Sequence, residues 1–125
     1  GNIVHLPNHQ VQLTDSQKRH IEAYVISLRS NPYSPPTDIN LDEDLLNFLV
    51  EEGRVVRVNE SVIFDAGVYE EMLDRIVSKA KVQGKINVGE VRDMFGTSRK
   101  YALSLMEYLD QRRITRRIGD ERVLR

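Results

Sequence analysis

The chain repeats itself, and that repeat limits the folds open to it. At an offset of 60, Leu45, Leu46, Phe48 and Leu49 fall on Leu105, Met106, Tyr108 and Leu109. The same offset carries Arg57-Val58 onto Arg117-Ile118 and Val62-Ile63-Phe64 onto Arg122-Val123-Leu124. At an offset of 52, Ile21, Tyr24, Val25 and Leu28 fall on Leu73, Ile76, Val77 and Ala80. The second copy therefore holds eight extra residues before its last helix. The alternative is a chance match of helix periods inside one mixed domain, and the shared hairpin pattern argues against it. Units this small bury little of their surface, so two of them in 125 residues should lean on each other or on a larger parent.

Local signals fill in each copy. Thr14 and Gln17 form a T-x-x-Q capping box, and Ile21, Tyr24, Val25 and Leu28 follow at helical spacing. Asn31-Pro32 ends that helix, and Pro35-Pro36 keeps the next residues extended. Asn40 and Glu43 read as a second capping box, with Leu41, Leu45, Leu46 and Leu49 as the stripe and Gly53 as the stop. Residues 54–58 and 62–65 read as strands around a turn. A helix over 67–83 follows, with Met72, Leu73, Ile76, Val77 and Ala80 inward, and it stops at Gly84. Asn87 and Glu90 box a short helix carrying Val88, Val91 and Met94. Thr97, in the Gly96-Thr97-Ser98 turn, is the expected N-cap of a last helix with Ala102, Leu105, Met106 and Leu109 inward. Residues 114–118 and 122–124 close the chain as a hairpin. The fold class expected is α+β, mainly α with small β-hairpins. It is laid out as two tandem winged-helix domains at 14–66 and 67–125, after a linker or edge segment at 1–13.

Composition narrows the function. Hydrophobic residues at 40% and charged residues at 30% describe a folded chain, and the absence of cysteine removes disulfides, thiolate zinc and a thiol nucleophile. A reducing cytoplasm suits such a chain, and no apolar run or signal peptide points to a membrane. The net charge of −1 conceals a polarity. Residues 99–125 hold eight basic and four acidic groups, whereas residues 1–98 hold ten basic and fifteen acidic. A surplus of four cations at one end points to a polyanion partner for that end, against the blander reading of a solvated charged face.

The last helix is the natural reader in a helix-turn-helix unit, and the hairpin wing touches phosphates. Opposite its core stripe lie Lys100, Ser104, Glu107 and Gln111. Thr97, Ser98 and Arg99 sit where free N–H groups and the positive dipole end could hold a phosphate. Arg116 and Arg117 lie on the wing, with Arg112 and Arg113 at its base. Strand alternation sends neighbours to opposite faces, so not all of these arginines can reach one partner, and Arg116 or Arg117 is the expected phosphate contact. Tyr101 could stack on an unpaired base, whereas Tyr108, whose mate is Phe48, reads as packing. The nucleic-acid candidates are therefore Thr97, Ser98, Arg99, Lys100, Tyr101, Ser104, Arg112, Arg116 and Arg117. In the first copy the corresponding helix opens with Asp42, Glu43 and Asp44, which repel phosphates, so that unit reads as a spacer or docking surface.

Other chemistry is not supported. His5 and His9 flank Pro7 without a carboxylate ligand nearby, which is poor zinc spacing. No nucleophile elbow, phosphate-binding loop or dinucleotide glycine pattern occurs, so neither enzyme activity nor a cofactor or metal is expected.

Residues 93–102, Asp93-Met94-Phe95-Gly96-Thr97-Ser98-Arg99-Lys100-Tyr101-Ala102, with Glu107-Tyr108-Leu109-Asp110 and Arg116-Arg117-Ile118-Gly119-Asp120, resemble the last winged-helix domain of bacterial SelB. SelB is the selenocysteine-specific translation elongation factor. Residues 3–66, from His9-Gln10-Val11-Gln12-Leu13 on, resemble the winged helix before it more weakly. The resemblance implies a C-terminal piece that binds the SECIS hairpin of selenoprotein mRNA through its final winged helix. It also implies that GTP, the ribosome and selenocysteyl-tRNA belong to a part of the parent protein outside this chain, and that the piece is a cytoplasmic monomer. Two alternatives stand beside it: a winged-helix DNA-binding regulator module, and a protein-interaction scaffold in which the basic cluster is incidental.

Overall fold

Thr14 opens the first helix as its spacing predicts. Its hydroxyl accepts the Gln17 N–H at 3.0 Å, and the Gln17 side chain accepts the Thr14 N–H at 2.9 Å. The computed structural model describes residues 12–125. Its helices are α1 (Asp15–Ser30), α2 (Glu43–Glu51), α3 (Ala66–Gln83), α4 (Val88–Phe95) and α5 (Arg99–Gln111). Its strands are β1 (Val55–Arg57), β2 (Ile63–Asp65), β3 (Ile86–Asn87), β4 (Thr115–Ile118) and β5 (Glu121–Leu124). The architecture is α+β. β1 and β2 form one antiparallel hairpin, and β3, β5 and β4 form a three-stranded antiparallel sheet in that order. No helix among the described residues is long and apolar enough to cross a membrane. The expected segment at 1–13 and the His5/His9 pair lie almost wholly outside the described residues.

Two apolar clusters hold the chain together. Ile21, Tyr24, Val25 and Leu28 of α1 pack on Leu45, Leu46 and Leu49 of α2 and on Val55. The larger cluster gathers Met72, Ile76 and Ala80 of α3, Val88, Val91 and Phe95 of α4, and Ala102, Leu105, Met106 and Leu109 of α5. Val58, Val62 and Phe64 of the first hairpin are buried in this second cluster, not the first. No linker follows β2. Asp65 ends the strand and caps α3, accepting the N–H groups of Gly67 and Val68 at 3.0 and 3.3 Å while taking Arg29 Nε at 3.0 Å. The first hairpin is thus the shared wall between the two clusters. Each fully buried leucine of these clusters contributes about 1.5–3 kcal/mol over an exposed one.

The repeat extends to individual hydrogen bonds. Gly53 N–H reaches Val50 C=O at 3.1 Å and Arg54 N–H reaches Leu49 C=O at 3.0 Å, which closes α2. Sixty residues on, Arg113 N–H reaches Asp110 C=O and Ile114 N–H reaches Leu109 C=O at the same two distances.

Some expected features differ. The Asn40–Glu43 box does not form. The N-cap of α2 is Asp42, without a side-chain cap bond, and Glu43 instead holds Arg57 Nη1 at 2.7 Å. A charge-assisted pair is stronger than a neutral cap, so the tertiary contact wins. In α3 the buried stripe is led by Tyr69, and Leu73 and Val77 are only half-buried. Phe95, not Met94, is buried in α4. Glu121 belongs to β5, so the wing turn is the two residues Gly119-Asp120, with Gly119 at φ 61° as short hairpin loops require. The Asn87–Glu90 box does form, with both bonds at 2.8–3.0 Å. Asn87→Ala should therefore lower stability by about 1 kcal/mol in urea unfolding, and no change would show the box to be idle.

Candidate nucleic-acid interface

Helix α5 is used on three faces. Its core face is Ala102, Leu105, Met106 and Leu109, all buried. A second face is tied to the N-terminal half. The Thr97 hydroxyl donates to Tyr33 C=O at 2.8 Å and lies 2.6 Å from Ser34 Oγ. The Tyr101 hydroxyl donates to Pro35 C=O at 2.7 Å, and Ser104 Oγ accepts from Asn59 Nδ2 at 3.0 Å. These three residues follow helical spacing, so one side of α5 docks on the stretch at 33–35 and on the first hairpin turn. The third face, Arg99 and Leu103, lines a groove. Lys100, Glu107 and Gln111 complete the circumference of the helix, and Lys100, Glu107 and Gln111 are exposed.

This arrangement corrects the expected cap. Ser98, not Thr97, is the N-cap, and it makes no side-chain cap bond. Thr97 is drawn away because Tyr33 C=O and Ser34 Oγ together offer its hydroxyl more than one helix amide would. The start of α5 is therefore uncapped by any side chain, and no acidic residue lies in its first turn. Arg99 and Lys100 stand there instead, against the dipole.

The groove has a volume of about 740 Å³ and lies between the start of α4 (Asn87, Val88, Gly89), Arg99 and Leu103 of α5, and wing residues 117–122. Arg117 Nε donates to Gly119 C=O at 2.8 Å, which fixes its stem, and its guanidinium is 4.0 Å from Asp120. The first copy holds the matching pair, Arg57 and Glu60, at 3.3 Å. It also holds Glu43 against Arg57 at 2.7 Å, and the residue sixty places on from Glu43 is Leu103. The wing arginine of the first copy is thus held by two carboxylates, while that of the second has the single 4.0 Å approach of Asp120 and shares its groove with Leu103. The Glu43 hydrogen bond raises the Arg57 pKa further above its usual value, so Arg57 stays bound as a cation.

Arg122 also borders the groove, but it is only 2% exposed. Its Nε donates to Asp110 Oδ2 at 3.2 Å, and Asp110 Oδ1 accepts from Thr115 Oγ1 at 2.6 Å. Its Nη2 is buried with no partner in the protein. Asp110 and Arg122 cancel as a pair, so the cationic surplus of four survives.

The expected residues are not all brought together. Arg99 and Arg117 share the groove, with Lys100 exposed beside Arg99. Arg116 pairs with Val123 across β4–β5, so its side chain leaves from the opposite face of the sheet to Arg117. Arg112 closes the other end of α5, about 20 Å away at 1.5 Å per residue. Thr97, Tyr101 and Ser104 serve the contact with the N-terminal half. Tyr108 packs edge-on against Tyr69, ring centroids 5.8 Å apart. Sequence reasoning missed Leu103, Asn87 and Gly89 as groove walls, and Ile118, which is 52% exposed at the wing tip. The repeat carried the signal for Leu103, since its mate is the carboxylate that silences Arg57.

Comparison with known proteins relates the chain to one family and one fold. Residues 79–124 match the family described as elongation factor SelB, winged helix. The chain is 29% identical over 137 residues to the selenocysteine-specific elongation factor of Desulfomicrobium baculatum, covering 100% of this chain and 21% of that one. It is 28% identical to the corresponding factor of Haemophilus influenzae, covering 98% and 21%. The chain thus spans about a fifth of the length of these relatives. Among solved structures, it superposes on the mRNA-binding domain of elongation factor SelB from E. coli, solved in complex with SECIS RNA. That match has a TM-score of 0.67 and 20% identity, and covers 90% of this chain and 99% of the other. A bacterial selenocysteine-specific elongation factor, EF-Sec, matches at a TM-score of 0.68 and 18% identity, covering 91% and 20%.

Proposed function

We propose that this chain, whose residues 79–124 match the SelB winged-helix family, is the mRNA-hairpin-binding part of a selenocysteine-specific translation elongation factor. In this reading the chain is two tandem winged-helix units, 14–66 and 67–125, and the second grips a SECIS-type hairpin. The observation that carries it is the groove between α5 and the wing. Arg99 and Arg117 converge there, and Leu103 occupies the position whose mate, Glu43, pairs with the first copy's wing arginine. The uncapped start of α5 supplies amide donors for one phosphate, and Arg117 supplies a planar donor for another. The exposed Ile118 and the half-buried Leu103 give an extruded base an apolar surface. Reading by loop shape and an unstacked base suits RNA, because side chains do not reach into the major groove of an A-form stem. The fragment has no catalytic role in this reading. GTP hydrolysis and the tRNA and ribosome contacts fall to the rest of a longer cytoplasmic factor.

The N-terminal half acts as a brace. Tyr33 packs at a tilt against Phe95 with centroids 5.1 Å apart, Arg75 lies 4.7 Å over the Phe95 ring, and the Tyr33 hydroxyl donates to Glu71. With the Thr97 and Tyr101 bonds, residues 33–35 hold the turn that aims α5. Tyr101→Phe should then weaken hairpin binding by about threefold to tenfold, the net value of one hydrogen bond. It should lose far less when Arg99 is already alanine. Equal losses in both backgrounds would mean that Tyr101 acts on RNA independently of the helix start.

The reading is tested by titrating the ¹⁵N-labelled chain with a bulged RNA hairpin. Amide shifts should concentrate at Arg99, Lys100, Leu103, Arg117 and Ile118. Shifts confined to α1 would contradict it.

A further inference from the structure

The left-handed backbone at Arg113 carries an inference that the groove does not. The matching position in the first copy is Gly53, at φ 72°, the residue type that tolerates this conformation. Arg113 takes φ 62° in the same hydrogen-bonded helix ending, and it is the one non-glycine residue with positive φ among those described. A Cβ is disfavoured there, so a glycine would close α5 with less strain.

Nothing among the described residues repays that strain. Arg113 is exposed, and its side chain has no hydrogen bond or ion pair among them. Arg112 and Arg116, on either side of it, also lack an acidic partner among the described residues. A single cation at a helix C-terminus complements the dipole, and Arg112 already supplies it. A further arginine in a strained backbone and beside like charges has its use outside the molecule.

We propose that Arg113, supported by Arg112, is a second phosphate-backbone contact, set apart from the groove. It lies fourteen residues after Arg99, at the opposite end of α5, about 20 Å away. A hairpin whose loop sits in the groove reaches that point only with its stem. The ligand class is therefore the stem phosphates of the same RNA. This rests on the RNA-binding reading above and adds a distance to it.

The test uses two RNA hairpins with one loop and bulge but different stems, one ending at the loop-proximal pairs and one extending well beyond about 20 Å. Arg113→Gly should raise the thermal midpoint by about 3 °C, because the strain is gone. It should also weaken binding of the long hairpin by about fivefold, the effect of one unneutralised phosphate. Arg113→Ala should show the same weakening without the gain in midpoint, and Arg113→Lys should bind within about twofold of the parent. The short hairpin should bind all variants alike. Parent-like binding of the long hairpin by Arg113→Gly and Arg113→Ala overturns the contact, as does an equal weakening on both stems. An unchanged or lowered midpoint in Arg113→Gly overturns the role given to strain. Failure of the parent chain to bind either hairpin overturns the RNA reading itself.

Discussion

Replacing Arg99 and Arg117 together with alanine should lower the affinity for a bulged RNA hairpin by about 100-fold. Each is the open cation on one side of the groove, and a hydrogen bond to a charged group contributes about 1.5 kcal/mol or more. That is about tenfold per residue, and the two add if their phosphates are separate. The salt dependence should fall as well, by about 0.7–0.9 in slope for each phosphate no longer neutralised. Stability should barely change, because both arginines are exposed and their only ion pair among the described residues is the 4.0 Å approach of Arg117 to Asp120. Fluorescence anisotropy at several salt concentrations, with urea unfolding alongside, measures all of this. Lys100→Ala should reduce affinity less, since Lys100 lies outside the groove. Unchanged affinity and slope in the double variant would remove the groove from the mechanism.

The largest effect on stability should come from Asp110→Ala, at about 3–5 kcal/mol in urea unfolding. Asp110 is the carboxylate partner of Arg122, whose side chain is only 2% exposed and already has one nitrogen without a partner. Without Asp110, the guanidinium would be an uncompensated charge in the core, and Thr115 would lose its acceptor. The chain contains its own comparison. The mates of Asp110, Thr115 and Arg122 are Val50, Val55 and Val62, so the first copy fills these positions with three apolar side chains. A triple variant, Asp110→Val with Thr115→Val and Arg122→Met, should therefore recover stability to within about 1 kcal/mol of the parent. If Asp110→Ala costs less than about 1 kcal/mol, water reaches Arg122 and the network is not sealed.

Much of this was readable where the information is local. The boxes at Thr14 and Asn87 formed because cap and N3 partner lie within one turn and no distant charge draws either away; Glu90 takes Gln83 on its second oxygen and keeps the first for the Asn87 N–H. The box at Asn40 failed because Glu43 meets Arg57, a residue fourteen positions away, and a charge pair outweighs a neutral cap. Thr97 lost its capping role for the same kind of reason, with partners at Tyr33 and Ser34 sixty-odd residues distant. The core stripe of α5 followed from period alone. What covers its flanks did not, because helical spacing says nothing of which neighbour arrives. Arg122 was counted as surface charge, although its mate Val62 is a buried residue beside the strand β2. That kinship marks it as an inward position. The wing arginines show the same lesson in reverse. Arg57 and Arg117 look equivalent in their own segments, and only the Glu43-to-Leu103 exchange separates a neutralised cation from an available one.

Guanidinium groups at the start of α5 and on the wing converge on one groove, and the function proposed here assigns that groove to a folded RNA. Competition titration of the chain with a bulged RNA hairpin, the same hairpin lacking its bulge, and a DNA duplex of equal length tests this most directly. Binding should be tightest to the bulged hairpin, clearly weaker when the bulge is deleted, and weakest to the duplex at physiological salt. Equal affinity for all three, or preference for the duplex, would contradict it.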